Sequence, residues 1–210
     1  MNAPISMKNN RIIAIGDIHG CFENLRKLIE KVSPEDSDLF VFLGDYIDRG
    51  PDSPHVVEFL IEFAERYRSV FLLGNHEQMC LDYFEDGDTT FLLNRGDETL
   101  VQYANSGINF LKHLDFFRTL RTYYETEDFI FVHAGLRPGL TLESQDTTDL
   151  LWIRDDYQDS DYDWGKTIVS GHTWWHSPVF LNNRIILDTG ACYGHYLTAC
   201  DVLTRRIWTA

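Results

Sequence analysis

The chain has 210 residues, 44% hydrophobic and 14% aromatic, enough apolar surface for one well-buried domain and far from the composition of a disordered chain. Its formal net charge of −15 excludes a partner held mainly through a nucleic-acid backbone, because that mode needs a Lys/Arg surface to displace counterions. No apolar run approaches membrane-spanning length, and Cys21, Cys80, Cys192 and Cys200 are scattered without CxxC spacing, so neither a membrane, a zinc ribbon nor a disulfide framework is expected.

Residues 1–10 lack the apolar centre of a signal peptide and are expected to be a flexible N-terminus, which with the reduced thiols points to the cytoplasm. No Pro/Gly/Ser-rich linker follows, so residues 1–210 read as a single domain. Residues 11–15 (RIIAI) form a short apolar strand running into Gly16-Asp17-Ile18-His19-Gly20. Phe22, Leu25, Leu28, Ile29 and Val32 then recur at helical spacing, which predicts a helix over 22–32, broken by Ser33-Pro34. Residues 39–43 (LFVFL) are continuous in apolar, β-favouring residues and predict a fully buried strand. It delivers Gly44-Asp45-Tyr46-Ile47-Asp48-Arg49-Gly50, two carboxylates and a guanidinium just past a strand's C-terminal end, the edge where open α/β sheets bind ligands. Taken alone, Asp48-Arg49-Gly50-Pro51 is also ordinary turn chemistry.

Ser53 is expected as a helix N-cap with Pro54 at the first helical position, and Val56, Val57, Leu60, Ile61 and Ala64 make one face of the helix. Residues 69–73 (SVFLL) are a third strand, delivering Gly74-Asn75-His76-Glu77 as a third polar loop on the same edge. Residues 82–119 are expected to be helical and loop-like, with a helix over 110–120, and to wall the cleft without supplying chemistry. Strands return at 123–125 and 129–132, the second leading into His133-Ala134-Gly135. Residues 150–154 (LLWIR) precede an acidic tract over 155–163. Residues 167–170 bring in Gly171-His172-Thr173, Asn182-Asn183 predicts a hairpin turn before 184–187, and 196–208 alternates like a strand pair. The first half is thus α/β and the second mostly β, which predicts two sheets packed together and flanked by helices.

Asp17, His19, Asp45, Asn75, His133 and His172 each follow a short apolar strand and together form a nitrogen/oxygen ligand set without thiolate. Such a set suits borderline first-row divalent metals. It exceeds what one catalytic ion needs, whereas two ions sharing Asp45 as a bridge would use it all. Paired ions serve in-line displacement at phosphorus.

G-D-I-H-G, G-D-Y-I-D-R-G, G-N-H-E, H-A-G and G-H-T, in this order, resemble the motifs of the phosphoprotein phosphatase family of calcineurin-like metallophosphoesterases, whose bacterial members include diadenosine tetraphosphate hydrolases. The resemblance implies a four-layer αββα fold with two mixed sheets, and two divalent ions, Mn2+ first and Fe, Zn, Co or Ni as alternatives. It places Asp17, His19 and Asp45 on one ion and Asp45, Asn75, His133 and His172 on the other, with a metal-bridging hydroxide as nucleophile and no covalent phosphoenzyme. It makes His76 the acid for the leaving oxygen, Asp48 the group that orients His76, and Arg49 and Arg154, with Asn75, the phosphate-binding groups.

The expected substrate is a phosphoprotein or a small phosphorylated molecule, with serine/threonine protein phosphatase as the leading reading. A dinucleoside polyphosphate hydrolase is the alternative, and a non-catalytic metal-binding module comes last. Asp48 and Glu77 favour the first, since the diadenosine tetraphosphate hydrolases usually lack that aspartate and read G-N-H-D. His55, His113 and His176 are read as structural, Trp152 as a packing residue, and 155–163 as a solvated loop. His195 is a candidate lining residue, and Trp174-Trp175, just beyond G-H-T, suit either an aromatic lip or the core of the next strand.

Overall fold

The computed structural model describes residues 11–210, so the flexible terminus expected over 1–10 lies outside the described residues. Strands β1 (Ile12–Ile15), β2 (Leu39–Phe42) and β3 (Ser69–Phe71) alternate with helices α1 (Phe22–Val32), α2 (Ser53–Arg66) and α3 (Asn75–Glu85). Helices α4 (Asp97–Ser106) and α5 (Phe110–Phe117) come next. Strands β4 (Tyr123–Glu125) and β5 (Phe129–Val132), helices α6 (Thr147–Trp152) and α7 (Asp155–Gln158), and strands β6 (Thr167–Ser170), β7 (Val179–Phe180), β8 (Arg184–Ile186), β9 (Thr198–Asp201) and β10 (Arg206–Thr209) complete the order.

One sheet runs β10-β9-β1-β2-β3 and the other β4-β5-β6-β8-β7. In the first, β1, β2 and β3 pair in parallel; in the second, β5, β6 and β8 do. The apolar runs of β1, β2 and β5 are continuous because both their faces are covered, whereas β3, at the sheet edge, is half-buried throughout. Ile13, Ile15, Phe40 and Phe42 point to α1 and α2, packing on Leu25, Leu28, Val56 and Leu60. Their neighbours Ala14, Val41 and Leu43 point the other way, onto Phe129, Phe131, Val169 and Ile185 of the second sheet. Ile130, Val132 and Ile168 then face Leu150, Ile153 and Tyr157 of the outer helices. Period-two alternation thus converts two strand sets into four layers, helix, sheet, sheet, helix, the expected αββα sandwich.

Three local expectations are corrected. Asp52, not Ser53, caps α2, its carboxylate accepting from His55 N, because the Ser53 hydroxyl instead accepts from Asp48 N at 3.1 Å. Asn75 and His76 do not lie in a loop but in the first turn of α3, which Gly74 caps. The helix expected over 110–120 stops at Phe117, where Thr119 N and Thr119 Oγ1 both turn back to Phe116 O.

Candidate active site

The C-terminal ends of the parallel strands bring the expected residues to one edge: Asp17 and His19 beyond β1, Asp45, Asp48 and Arg49 beyond β2, Asn75 and His76 beyond β3, His133 beyond β5, and His172 beyond β6. All are buried except Arg49, which is half-buried. His19, Asp45, Asp48, Arg49 and His172 take left-handed φ values of 46°, 52°, 69°, 66° and 63°. Such conformations cost up to about 1–3 kcal/mol each and persist only where the surroundings over-determine them. Here Ile18 N and His19 N both donate to Asp45 O, at 3.0 and 2.8 Å, tying the first two loops together.

Glu77 fixes the same loop from the other side. Its Oε2 accepts from Asp45 N (2.9 Å) and Gly74 N (3.2 Å), and its Oε1 from Tyr46 N (2.8 Å) and Ile47 N (3.2 Å). The approach is close enough that a Cβ on Gly74 would lie 2.2 Å from Asp45 N and from Asp45 Oδ1, so only glycine fits.

The donor atoms test whether metal ions fit. His19 Nδ1 donates to Ile47 O at 2.9 Å and His133 Nδ1 to Leu43 O at 2.8 Å, which leaves each Nε2 as a lone pair facing inward. His19 Nε2 accepts from Arg49 Nη1 at 2.9 Å, while the buried Nε2 of His172 has no hydrogen-bond partner among the described residues. His133 Nε2 lies 2.9 Å from Asn75 Oδ1 and 3.4 Å from Asp45 Oδ1; His19 Nε2 lies 3.4 Å from Asp45 Oδ2. Ligand atoms about 2.0–2.2 Å from one ion would be about 3.0–3.5 Å apart, so these separations fit shared ions. The two oxygens of Asp45 face different imidazoles, as a bridge requires. One ligand atom each from Asp45, His133 and His172 lie within 4.8 Å of one another, and so do those of His19, Asp45 and His76.

Protonation agrees. Burial pushes His19 down to about 3 and His172 down to about 2, so both imidazoles are neutral and able to ligate. Burial pushes Asp45 up, but His133, His76, His19 and His172 together outweigh it and hold the carboxylate well below its usual range. Asp17, whose carboxylate accepts from His172 N at 3.0 Å, is driven well above the ordinary range by burial and then by Asp188 and Asp45. Like-charged carboxylates gathered out of water are what a bound cation relieves.

Sequence reasoning missed three residues. Asp188, buried and pushed up to about 6 by burial, belongs to this carboxylate group; it follows β8 in the same strand-then-Asp pattern as Asp17 and Asp45, which is a usable signal. Glu77 stands in the sequence as a motif letter, whereas the structure makes it the acceptor for four backbone N–H groups. Thr99 on α4 donates to Asp48 Oδ1 at 2.5 Å, so the 82–119 region contributes more than a wall. On its other oxygen, Asp48 accepts from His76 Nδ1 at 2.6 Å, and both residues are wholly buried. His76 Nε2 has no partner among the described residues.

Arg154 is exposed at the end of α6, near enough for its charge to help depress His133 and His172. Trp152 is 39% exposed and edge-on to His172 at 6.0 Å, which corrects its reading as a packing residue. Trp174 and Trp175 are exposed rather than core. His113 bonds Tyr103 Oη and Glu58, and His55 bonds Asp52, whereas His176 and His195 join an aromatic cluster around Trp174. The acidic tract is largely exposed, and Asp159, Asp161 and Asp163 line a cavity with Asp128 and Thr167, at the strand ends opposite the site.

The family model for calcineurin-like phosphoesterases matches residues 10–200. The chain belongs to that family. It is a metal-dependent phosphoric ester hydrolase, and divalent ions are its family cofactors. The phosphoesterase is 33% identical to serine/threonine-protein phosphatase 1 of Salmonella typhimurium, over 94% of this chain and 95% of that one. It is 26% identical to the asymmetrical bis(5'-nucleosyl)-tetraphosphatase PrpE of Oceanobacillus iheyensis, over 90% and 87%. A serine/threonine phosphatase structure from Saccharomyces cerevisiae superposes with a TM-score of 0.66 at 18% identity, covering 92% of this chain and 73% of that one, a likeness of fold. No helix among the described residues is long and apolar enough to cross a membrane.

Proposed function

We propose that the phosphoesterase hydrolyses phosphate monoesters, with phosphoserine and phosphothreonine in proteins as substrates. Asp17, His19 and Asp45 would hold one divalent ion and Asp45, Asn75, His133 and His172 a second, with Mn2+ as the preferred metal. When bound, the ions supply Lewis acidity toward phosphate oxygens.

The observation that carries the ester reading is the sealed Asp48–His76 pair, 2.6 Å apart with neither residue exposed. An alkoxide is a poor leaving group and needs a proton as the P–O bond breaks; a phosphate leaving from an anhydride needs it far less. With Nδ1–H committed to Asp48, His76 presents Nε2 to the leaving oxygen, and Asp48 fixes the ring's tautomer and orientation. Thr99 holds the second oxygen of Asp48, so the carboxylate cannot rotate away without breaking a short bond. Arg49 and Arg154 grip the non-bridging oxygens from a half-buried and an exposed side of the cleft. The identity to the Salmonella phosphatase over nearly both full lengths supports a protein substrate.

A second reading, hydrolysis of dinucleoside polyphosphates, is supported by the exposed rings of Trp174 and Trp175 beside His172 and by the PrpE relatives. The four free thiols support a reducing compartment, the cytoplasm. The deciding measurement is kcat/KM of the Mn2+-loaded protein on a phosphoserine peptide and on diadenosine tetraphosphate, with Asp45→Asn as control. A preference for the peptide is the expected result, and a preference for the dinucleotide overturns it. An Asp45→Asn variant that keeps both its metal and its turnover refutes the bridging assignment.

A further inference from the structure

Helix α4 fastens the loop between β2 and α2 with two side chains one turn apart, and only the first of them touches the Asp48–His76 pair. Thr99 bonds the Asp48 carboxylate. Gln102, three residues on, bonds the backbone instead: its Oε1 accepts from Ser53 N at 2.8 Å and its Nε2 donates to Gly50 O at 2.9 Å. A backbone N–H only donates and a carbonyl only accepts, so one orientation of the amide satisfies both. Ser53 N is the first N–H of α2, which no carbonyl of its own helix reaches, and Ser53 is wholly buried. A single side chain thus closes the turn over residues 50–53.

That turn carries Arg49. Asp48 and Arg49 are consecutive non-glycine residues at left-handed φ, 69° and 66°, a conformation that persists only where the surroundings hold it. On the Asp48 side the hold is Ser53 Oγ, which accepts from Asp48 N at 3.1 Å. The first loop packs on the other flank: a Cβ on Gly50 would collide with His19 O, and Asp52 N donates to Gly20 O at 3.0 Å. Past Arg49 the hold on the chain is the Gln102 amide, on Gly50 O and Ser53 N. The Arg49 guanidinium reaches His19 Nε2 at 2.9 Å, among the candidate metal ligands. A planar guanidinium matches two phosphate oxygens in one geometry, so its grip depends on where the backbone anchors it.

We propose that Gln102 is a positioning residue for Arg49: by clamping Gly50 O and Ser53 N it fixes the left-handed turn from which the guanidinium meets the phosphate. Thr99, on the same side of α4, separately holds the Asp48–His76 pair. Phosphate affinity and turnover are thereby supported by two different side chains of one helix. This rests on the phosphoesterase reading and on its assignment of Arg49 to phosphate.

The test is a double-variant cycle, read as the Kd of inorganic phosphate by calorimetry on the Mn2+-loaded protein, with wild type, Gln102→Met, Arg49→Ala and the two changes combined. Methionine keeps the length of the side chain and removes both polar atoms. Gln102→Met is expected to weaken phosphate binding about tenfold when Arg49 is present, a coupling of the size found within one hydrogen-bonded unit, and less than about twofold once Arg49 is gone. A glutamine that only supports the fold would act equally in both backgrounds, and equal losses overturn the proposal, as does unchanged binding in Gln102→Met. Thr99→Val should leave the phosphate Kd within about twofold while lowering kcat on a phosphoserine peptide. If it weakens phosphate as much as Gln102→Met, the loop responds as one body and the separate role of Gln102 falls. Gln102→Glu keeps the acceptor for Ser53 N and loses the donor to Gly50 O; it replaces Gln102→Met in the cycle if that variant does not fold, and its added charge acts in both backgrounds. If wild type binds phosphate and Arg49→Ala binds it equally well, Arg49 is not a phosphate group and the proposal fails with that assignment. If wild type neither binds phosphate nor hydrolyses a phosphate ester, the phosphoesterase reading itself fails and takes the proposal with it.

Discussion

Asp48→Asn removes one charge from the site without changing its volume, and the structure sets the size of the effect. Asp48 accepts from His76 Nδ1 at 2.6 Å and from Thr99 Oγ1 at 2.5 Å, with no exposure to water. A hydrogen bond to a charged group contributes about 1.5–3 kcal/mol and a neutral one about 0.5–1.5, so the amide forfeits roughly 1–1.5 kcal/mol of support for the imidazole. That corresponds to about a 5- to 13-fold lower kcat on a phosphoserine peptide. The loss grows if the amide keeps its oxygen on Thr99, because its NH2 then faces the ring nitrogen that must donate. Thr99→Val separates the two cases: with the hydroxyl gone, the oxygen of the introduced amide is free to turn to His76, and the double variant should recover part of the kcat lost by Asp48→Asn. On p-nitrophenyl phosphate, whose leaving group needs little proton assistance, Asp48→Asn should cost far less. Steady-state kinetics on both substrates, with metal content measured alongside, is the assay. Metal lost in proportion to activity, or the same loss on both substrates, would refute the reasoning.

His76→Asn should retain metal while turnover of alkyl phosphates falls much more than that of p-nitrophenyl phosphate; a metal-free variant would make His76 a ligand, as its grouping with His19 and Asp45 permits. Arg154→Ala should raise KM several-fold and weaken inhibition by inorganic phosphate, and if neither changes, Arg154 does not belong to the clamp. Glu77→Gln points its amide nitrogen at two backbone N–H groups in either orientation, costing about 1–3 kcal/mol for each unpaired donor, so thermal denaturation should show Tm lower by roughly 4–24 °C. Mn2+ affinity, followed by calorimetry, should weaken as pH falls through about 6: Asp188 has its carboxyl raised to about 6 and Asp17 beside it is raised as well, so the pair takes up protons, whereas His19 and His172, depressed to about 3 and about 2, are already neutral there. A dependence centred near 4, the ordinary carboxylate range, would refute this.

The strands were legible because burial on both faces leaves no room for polar residues, so apolar runs such as LFVFL carry their own boundaries. The candidate ligands were legible for a related reason: β1, β2, β3, β5 and β6 run into Gly-Asp, Gly-Asp, Gly-Asn, His-Ala-Gly and Gly-His, and a shared sheet edge makes such ends converge. Asn75 and His76 were misplaced into a loop because Glu77, which completes the cap of α3, acts through backbone atoms that no pattern of side chains reveals. Thr99 was invisible since its partner Asp48 lies 51 positions away and α4 looks like any amphipathic helix. The exposure of Trp174 was undecidable from local sequence, because a tryptophan after a strand suits a core or a rim equally until the Gly190 turn is placed beneath it.

The site concentrates features that are sparse elsewhere in the fold. Five of the eight non-glycine residues at positive φ among the described residues lie there, and Asp17, Asp45 and Asp188 are buried near one another. None of this is stable in isolation, and the packed layers on either side supply what offsets it. The arrangement is also one that a cation bound only to the folded state would favour, adding about 2.7 kcal/mol at a hundredfold excess over Kd. Glu77 links the two halves of the problem: the carboxylate that holds the Asp45 loop is carried by the same helix turn that supplies His76. The backbone N–H of His76 in turn donates to Asp45 Oδ1 at 3.1 Å. A shift of that helix would therefore move His76 and Asp45 together, so their spacing is set by one turn of α3 rather than by three independent loops.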